Sequence, residues 1–386
     1  MSVAQALPLS PPGLSVRVQT GGAYLVRALA ADWRRLCGED PACEPFYMPE
    51  WTEAFLLAFA PAATLTIVSA WSNGRLRGVL PLIRERGFVC GFPVRRITFP
   101  ANVHCCRAGV VSCPGTEGEE VLRAMWRTLK TLGGWDVLDL DYVVEGNGIE
   151  HLASLAQADG FRVARRRVWQ SLFLPTTPSG SGQAPWQASQ RPSFRSTLRR
   201  RRRQLEELGQ VTLRNCETAA PQALEEFYRV EGSGWKGRQG TAIASNPKTR
   251  RFYDVIAQAL ARDGHLALDF LELDGRPVAA HFAITFSGRY LLAKSGYDEA
   301  YQRCGPGHLL LHEILNQSGP RGLRELDFVG PAAGDETRWA SQRRNHFRVF
   351  IFRKSGYGSW LHALRITGRE AVKKMLGRGA AENTPE

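Results

Sequence analysis

Residues 290–315 read YLLAKSGYDEAYQRCGPGHLLLHEIL, and this stretch predicts a strand, a glycine-containing turn and an apolar helix. We expect the strand over Tyr290–Ser295 and the start of the helix at Gly307. Glycine lets the backbone approach a ligand closely, and the first turn of a helix presents unpaired N–H groups and a positive dipole end. A pyrophosphate is the natural occupant of such a joint.

The segments that precede this stretch predict an antiparallel sheet. Leu266–Leu273 runs into an Asp274-Gly275 turn and then into Pro277–Phe286, which is the pattern of a β-hairpin. The first half of the chain repeats it, since Leu65–Trp71 and Leu76–Ile83 flank an Asn73-Gly74 turn.

Each half then continues with a helical stretch and a strand that ends in Asp-aromatic-Val. This agreement in the order of elements predicts a tandem duplication, and we expect an α/β (α+β) fold of two domains, each a twisted, mostly antiparallel sheet flanked by helices. The matching segments are Val121–Leu132 with Trp135–Val143, and His308–Gln317 with Leu323–Val329.

The length of 386 residues also favours two domains. The stretch from Pro175 to Ser193 is rich in Pro, Ser, Gly and Gln, which is typical of a linker. We therefore predict a flexible N-terminus at 1–13, a first domain at 14–175, a linker at 176–191, a second domain at 192–376 and a flexible tail at 377–386.

The cysteine spacing and the hydropathy of the sequence argue against a zinc protein, a membrane-spanning protein and a secreted protein. The eight cysteines lack CxxC spacing, which argues against a zinc site and for reduced thiols in the cytoplasm. The longest uncharged stretch, Phe55–Trp71, is interrupted by Pro61 and predicts no transmembrane segment. No secretory signal is expected, because Pro8, Pro11 and Pro12 would break one.

The positive charge is concentrated in one part of the chain. Residues 162–204 contain eleven arginines and no acid, out of a net charge of +13. A helix is predicted from Ser193, as the N-cap, to Gly209, with five consecutive arginines at Arg199–Arg203. It is either a solvated helix face or a site for an anionic partner such as a CoA phosphate, a lipid surface or tRNA. No base-recognition motif accompanies it, so nucleic acid is the less favoured partner.

Several motifs in the second half resemble one known family. The turn Gln302-Arg303-Cys304-Gly305-Pro306-Gly307 fits the Q/R-x-x-G-x-G/A pattern with which acetyltransferases hold the CoA pyrophosphate. Together with the blocks below, it resembles the CelD-like (cellulose-biosynthesis-associated) acetyltransferases of the GNAT superfamily, relatives of the FemAB-type tandem-GNAT aminoacyltransferases. The blocks are GWKGRQGTAI at 234–243, Phe252-Tyr253, GRPVA at 275–279, SGYDEAY at 295–301 and Asp327-Phe328.

The resemblance implies direct transfer of an acyl group from acetyl-CoA or another acyl-CoA to an amine, in a small molecule or an amino sugar. The setting would be polysaccharide or envelope biosynthesis. The resemblance covers about residues 192–350 and implies no metal. The cofactor would be held by Gln302, Arg303, Gly305, Pro306, Gly307 and His308. The first half contains no such loop, so we expect a degenerate domain that shapes the acceptor cleft.

Direct transfer needs a base for the amine proton and an acid for the departing thiolate. The resemblance implies that His281 is the base, since its strand supplies one in many GNAT enzymes; the alternative is a hydrogen-bonded core histidine. Tyr297 is a candidate acid or a packing residue. Asp327 either faces the cleft and orients the amine or caps the next loop. Cys304 is not expected to act as a nucleophile, because direct transfer forms no acyl-enzyme.

Five further residues are candidates for binding the acceptor. Glu231, Trp235 and Lys236 combine an acid, a flat aromatic ring and a base, which suits a polar acceptor; the alternative is an exposed ion pair at a helix end. Lys294 lies on the strand before the loop. Arg338 stands where the family often has a Tyr-Lys pair, and arginine clamps carboxylate or phosphate and transfers no proton.

Two other functions are compatible with this sequence. A non-catalytic GNAT-fold protein would bind a polysaccharide-synthesis partner or RNA, and it would have a blocked loop or a filled cleft. An aminoacyl-tRNA-dependent transferase of the FemAB type would depend on the arginine helix more than on the loop. The fold by itself does not choose among these functions.

Overall fold

The computed structural model describes residues 13–40, 43–176, 186, 190–332, 334–340 and 342–365. The predicted flexible ends and most of the predicted linker lie outside the described residues. The strands of the described part form one 13-stranded, mostly antiparallel sheet. They are β1 (Leu14–Gly21), β2 (Leu65–Ser72), β3 (Arg75–Val89), β4 (Phe92–Thr98), β5 (Val111–Ser112), β6 (Val137–Val144), β7 (Arg162–Pro175), β8 (Val211–Cys216), β9 (Leu266–Leu273), β10 (Arg276–Phe286), β11 (Arg289–Tyr297), β12 (Glu325–Asp327) and β13 (Gln342–Phe352).

The helices cover the two faces of this sheet. The helix after β4 and the helix after β11 occupy equivalent places in the two halves. Short 3₁₀ turns lie at Pro45–Tyr47, Ile243–Ser245, Glu299–Cys304 and Gly334–Arg338, and residues 356–365 are helical. The α-helices are α1 (Tyr24–Glu39), α2 (Pro49–Phe59), α3 (Gly115–Thr131), α4 (Gly148–Ala158), α5 (Pro192–Glu206), α6 (Pro221–Glu231), α7 (Trp235–Arg238), α8 (Pro247–Arg262) and α9 (Pro306–Asn316).

The strand order shows the internal repeat. It runs β1-β2-β3-β4-β6-β13-β7-β12-β11-β10-β9-β8, with β5 beside β3. Counted from the two ends of the sheet, each strand of one half has the same position as its counterpart in the other half, as β1 and β8 do. The last strand of each half is inserted into the other half, since β13 pairs with β6 and β7 pairs with β12. The mixed α/β fold of two similar halves is therefore confirmed. The sheet itself is continuous across the predicted boundary between the two domains.

Both predicted hairpins are present, with turns of the same conformation. Asn73 and Gly74 have φ values of 49° and 73°, and Asp274 and Gly275 have φ values of 50° and 76°. Two consecutive left-handed residues make the type I′ turn that matches the twist of a hairpin, which explains why Asn-Gly and Asp-Gly stand there.

The two halves share one core and one buried ion cluster. Trp51 and Phe59 of α2 pack against Phe252 of α8, with ring centroids 5.7 and 5.4 Å apart. Arg107 of the first half is fully buried and donates to Glu44 and to Asp327, each at 2.7 Å. Because a buried charge is tolerated only when it is paired, this cluster ties the halves together.

Two local expectations need correction. Helix α5 begins at Pro192 with Arg191 in the N-cap position and no side-chain cap, so Ser193 lies inside the first turn. The strand expected over Leu323–Val329 is confined to Glu325–Asp327, because Val329 takes a left-handed conformation with φ 60°.

In the described part of the chain, no helix has both the length and the apolar character needed to cross a bilayer. The same residues contain no cluster of three or more His, Cys, Asp or Glu side chains arranged to hold a metal ion.

Candidate functional site

A cavity of about 460 Å³ lies where two parallel strands separate. Strand β12 pairs with β11 only along Arg289–Leu291, and β11 continues to Tyr297. Beyond the last pair, Leu292, Ser295, Gly296 and Tyr297 line the cavity and pair on one side only, with β10. This part of β11 is therefore not covered by β12, and the carbonyls of Ser295 and Tyr297 accept hydrogen bonds from Lys236 and Ser233.

The predicted cofactor loop forms one end of the cavity. Gly305 is left-handed, with φ 58° and ψ 50°, and occupies the N-cap of α9. Pro306 follows at the first helical position, where its missing N–H costs nothing, and the first turn of α9 carries no acid. The loop is thus shaped for an anion. Of the predicted cofactor residues, Gln302, Gly305, Pro306, Gly307 and His308 line the cavity, and Arg303 is exposed outside it.

One arginine of the basic helix α5 packs directly on this loop. Arg201 lines the cavity, and a Cβ atom placed on Gly305 would lie 2.7 Å from its Nη1 atom. It has no carboxylate partner among the described residues, whereas Arg202 donates to Glu313 of α9 at 2.9 Å. Arg199, Arg200 and Arg203 are exposed. The helix therefore has a site-facing edge and a solvent-facing edge.

His281 reaches the cavity from β10. It is almost fully buried, and its Nδ1 atom lies 3.2 Å from the hydroxyl of Tyr290. Burial lowers the pKa of His281 to about 4, although Asp269 acts in the opposite direction. The imidazole is therefore neutral near pH 7, as a general base must be.

Tyr297 and Asp327, the other two catalytic candidates, are placed differently. Tyr297 lines the cavity and is 39% exposed. Asp327 is fully buried and accepts hydrogen bonds from Arg107, Arg344 and the N–H of Val329. The structure corrects the expectation that Asp327 faces the cleft, because its carboxylate is taken up by the ion cluster between the halves.

The acceptor candidates Glu231, Trp235 and Lys236 come together on the cavity wall. The Nζ atom of Lys236 lies 3.2 Å from Glu231 Oε1 and donates to the carbonyl of Ser295 at 2.7 Å. Glu231 is buried and also accepts from the N–H of Ile243. This pair ties the segment after α6 to β11, and the half-exposed ring of Trp235 stands beside it.

Lys294 and Arg338 are not part of the cavity wall. Lys294 lies opposite Phe282 on the other face of β11, and its pKa is lowered by burial, with Cys106 raising it and Lys236 lowering it. Arg338 is exposed, although its neighbours Glu336 and Trp339 line the cavity.

Trp339 is a site residue that the sequence analysis missed. Its Nε1 atom donates to Nδ1 of His308 at 3.1 Å, so it holds the first turn of α9. The ring of Phe194 packs edge-on against it at 5.1 Å. A signal was present in the sequence, since Trp339 follows Arg338 directly, but its contact depends on where residues 334–340 return in space.

Residues 192–340 match the family model of the GNAT acetyltransferase domain. The chain thus contains a GNAT domain and is a transferase. No curated protein matches the chain in sequence.

Solved structures share the fold at low identity. FemX is 11% identical, with 84% of this chain and 96% of that chain covered and a TM-score of 0.57. The C-terminal domain of an Agrobacterium fabrum protein assigned as a lysylphosphatidylglycerol synthetase is 13% identical, with 88% and 96% covered and a TM-score of 0.51. At these identities the likeness concerns the fold.

Proposed function

We propose that the chain transfers an acyl group from acyl-CoA directly to the amine of a small molecule or an amino sugar. One observation carries the proposal: a single cavity joins the glycine loop at the start of α9 to His281 and to the Glu231–Lys236 pair. The residues that we propose for the donor, the base and the acceptor thus line one partly open cavity.

The donor fits by its charge and its shape. The phosphates of CoA would lie against the N-terminus of α9, where Arg201 adds positive charge. The pantetheine arm is an extended chain with two amides. It would pair with the edge of β11 that β12 leaves open, as an added strand does.

The chemistry follows from the neutral imidazole of His281. The acceptor amine attacks the thioester carbonyl, and His281 takes the amine proton as general base. Tyr297, on the same wall, is in place to protonate the departing thiolate. Cys304 packs in the apolar core below the loop, which agrees with direct transfer without an acyl-enzyme.

The acceptor would be recognised by Glu231, Lys236 and the ring of Trp235. We propose that the chain belongs to the CelD-like family, on the motifs at 234–243, 275–279 and 295–301. A role in polysaccharide or envelope biosynthesis and a cytoplasmic location complete this proposal.

A second candidate function uses aminoacyl-tRNA as the donor. The exposed arginines Arg199, Arg200 and Arg203 favour it, because they form a solvent-facing cationic edge beside the cavity. The cavity of about 460 Å³ beside the glycine loop favours acyl-CoA, and it also argues against a non-catalytic protein, whose cleft would be filled.

Calorimetric titration with acetyl-CoA and longer acyl-CoAs tests the proposal. We expect the wild type to bind and Gly305→Trp to lose binding, because the new ring would displace Arg201 and fill the loop. Gly115→Trp is the matched control, since Gly115 has a similar φ of 75° as the first residue of α3, and a Cβ atom there would meet nothing within 4 Å. Absence of wild-type binding at millimolar ligand, with binding to aminoacyl-tRNA that is lost on substituting Arg199, Arg200 and Arg203, would favour the second function.

A further inference from the structure

A row of polar residues crosses four strands on the cavity face of the sheet. Asn215 of β8 lies opposite Asp269 of β9, and Asp269 lies opposite His281 of β10. His281 in turn lies opposite Ser295 of β11. Residues that face each other on neighbouring strands project to the same side, so these side chains meet.

The row contains a buried hydrogen-bond chain that ends at His281. The hydroxyl of Tyr290 donates to Asp269 Oδ2 at 2.7 Å and lies 3.2 Å from Nδ1 of His281. Asp269 also accepts from Asn215 Nδ2 at 2.7 Å and from Arg321 Nη1 at 3.1 Å. Asp269 and Tyr290 are both fully buried.

The direction of each hydrogen bond follows from the charges. Asp269 forms an ion pair with Arg321 and is therefore a carboxylate that can only accept. The proton of the short Tyr290–Asp269 bond thus belongs to Tyr290, whose pKa is raised by burial and by Asp269. Because that proton is committed to Asp269, the Tyr290 oxygen can only accept from His281.

His281 must then carry its proton on Nδ1. A neutral imidazole with Nδ1–H has its lone pair on Nε2. Nε2 has no hydrogen-bond partner among the described residues, and it is not one of their fully enclosed polar atoms. Since His281 lines the cavity, Nε2 is the nitrogen that meets a ligand.

We propose that Tyr290 and Asp269 are positioning residues that fix the Nδ1–H tautomer of His281 and present Nε2 as the proton acceptor for acyl transfer. This inference rests on the proposed function. In the step, the amine nitrogen forms the C–N bond and the C–S bond breaks with its electron pair on sulfur. One N–H proton goes to Nε2, and the thiolate takes a proton from Tyr297, so CoA leaves as its thiol. His281 then gives its proton to solvent and Tyr297 regains one from solvent, which restores both side chains.

Nitrogen-15 NMR of the histidine rings tests the tautomer without any activity measurement. We expect Nδ1–H at His281 in the wild type, assigned by comparison with His281→Gln. An Nε2–H tautomer in the wild type would overturn the inference. In Tyr290→Phe the acceptor for Nδ1–H is gone, so we expect a shift toward Nε2–H.

Kinetics give the second readout. Tyr290→Phe should lower kcat about 10- to 100-fold, with little change in the KM for acyl-CoA, because general-base catalysis contributes on that scale or more. Tyr228→Phe is the matched control. Tyr228 of α6 donates a hydrogen bond of 2.7 Å to Asp254 of α8, and no histidine takes part in that bond. A Tyr290→Phe variant with wild-type tautomer and kcat would contradict the inference.

The failure of this inference is distinguishable from that of the proposed function. If acyl-CoA binds in calorimetry and His281 shows Nε2–H, the donor site stands and the positioning role falls. If His281 shows Nδ1–H and no acyl-CoA binds, the proposed acyl-CoA donor falls and the tautomer assignment stands.

Discussion

The starts of α3 and α9 are the most informative pair of regions in this molecule. Both helices follow a strand, and both are preceded or begun by a left-handed glycine, Gly115 or Gly305. In α3 the first turn contains Glu117, which accepts two hydrogen bonds from Arg77. The first turn of α9 has no acid, and Arg201 packs beside it.

The difference between the two helix starts is the reason why we propose an anion site at α9 and none at α3. A carboxylate at a helix N-terminus uses the same N–H groups and dipole that would attract a phosphate. The pKa of Glu117 is lowered, chiefly by its hydrogen bonds to Arg77, so it is charged near neutral pH. At α9, a cavity of about 460 Å³ adjoins the start of the helix.

The largest expected effect is a loss of stability when Asp327 is substituted, compared with Asp141, its counterpart in the first half. Asp327→Ala should lower the free energy of unfolding by about 3–5 kcal/mol, because the buried guanidinium of Arg107 loses a carboxylate partner. Asp141→Ala should cost about 1 kcal/mol or less, because Asp141 is partly exposed and pairs with Arg348 at 3.3 Å. Urea unfolding measures both; equal losses would mean that the two positions are equivalent.

An acid placed at the start of α9 should make it resemble α3. We expect Gly307→Glu to weaken acyl-CoA binding about 100-fold, since a carboxylate would compete for the N–H groups and repel the phosphates. A Cβ atom at Gly307 would lie 3.5 Å from the Tyr297 ring, so a side chain is accommodated. Calorimetry measures the affinity.

Two controls separate charge from size in that experiment. Gly307→Gln has the same length without the charge, and equal losses in the two variants would assign the effect to bulk. Glu117→Gln in the first half should not create acyl-CoA binding, because removing the acid leaves α3 without a cavity of the size that α9 has.

A smaller effect is expected within the arginine run of α5. Arg201→Gln should weaken acyl-CoA binding about tenfold, which corresponds to one charge-assisted contact with a phosphate. Arg199→Gln is the control, because Arg199 lies on the same helix and is exposed. Equal weakening in both variants would indicate a diffuse electrostatic attraction, and it should then disappear at high salt.

Much of the fold was predictable, because its signals are local. Asn73-Gly74 and Asp274-Gly275, which form type I′ turns, predict two hairpins, and Gly305-Pro306 predicts the start of a helix. These conformations are set by neighbouring residues, so a short window of sequence contains the information.

The exchange of strands and the role of Asp327 were not predictable in the same way. The Arg107–Asp327 bond joins residues 220 positions apart and exists because β7 and β13 cross between the halves. The Tyr290–Asp269–His281 chain depends on strand register, and one slip of one residue would send these side chains to opposite faces. Asp269, one of two acids in the otherwise apolar strand Leu266–Leu273, was the available hint.

The smallest effect concerns the exchanged strands, where the two halves meet. His346 of β13 is fully buried, stacks on Trp169 of β7 at 3.4 Å and bonds Ser171 at 3.0 Å. Burial, together with the nearby charges of Arg107 and Arg344, lowers its pKa to about 2. An unfolded histidine titrates near 6.5, so below that pH the unfolded chain binds a proton that the folded chain excludes, and stability falls as the pH falls.

His346→Gln should therefore reduce the acid sensitivity of the fold. Between about pH 6.5 and about pH 5.5, the variant should lose about 1 kcal/mol less unfolding free energy than the wild type, because one proton uptake is removed. Urea unfolding at both pH values measures this, with the partly exposed His362→Gln as control. Identical pH dependence in wild type and His346→Gln would mean that His346 titrates alike in both states. The exchanged strands would then not form the tightly closed junction that their contacts indicate.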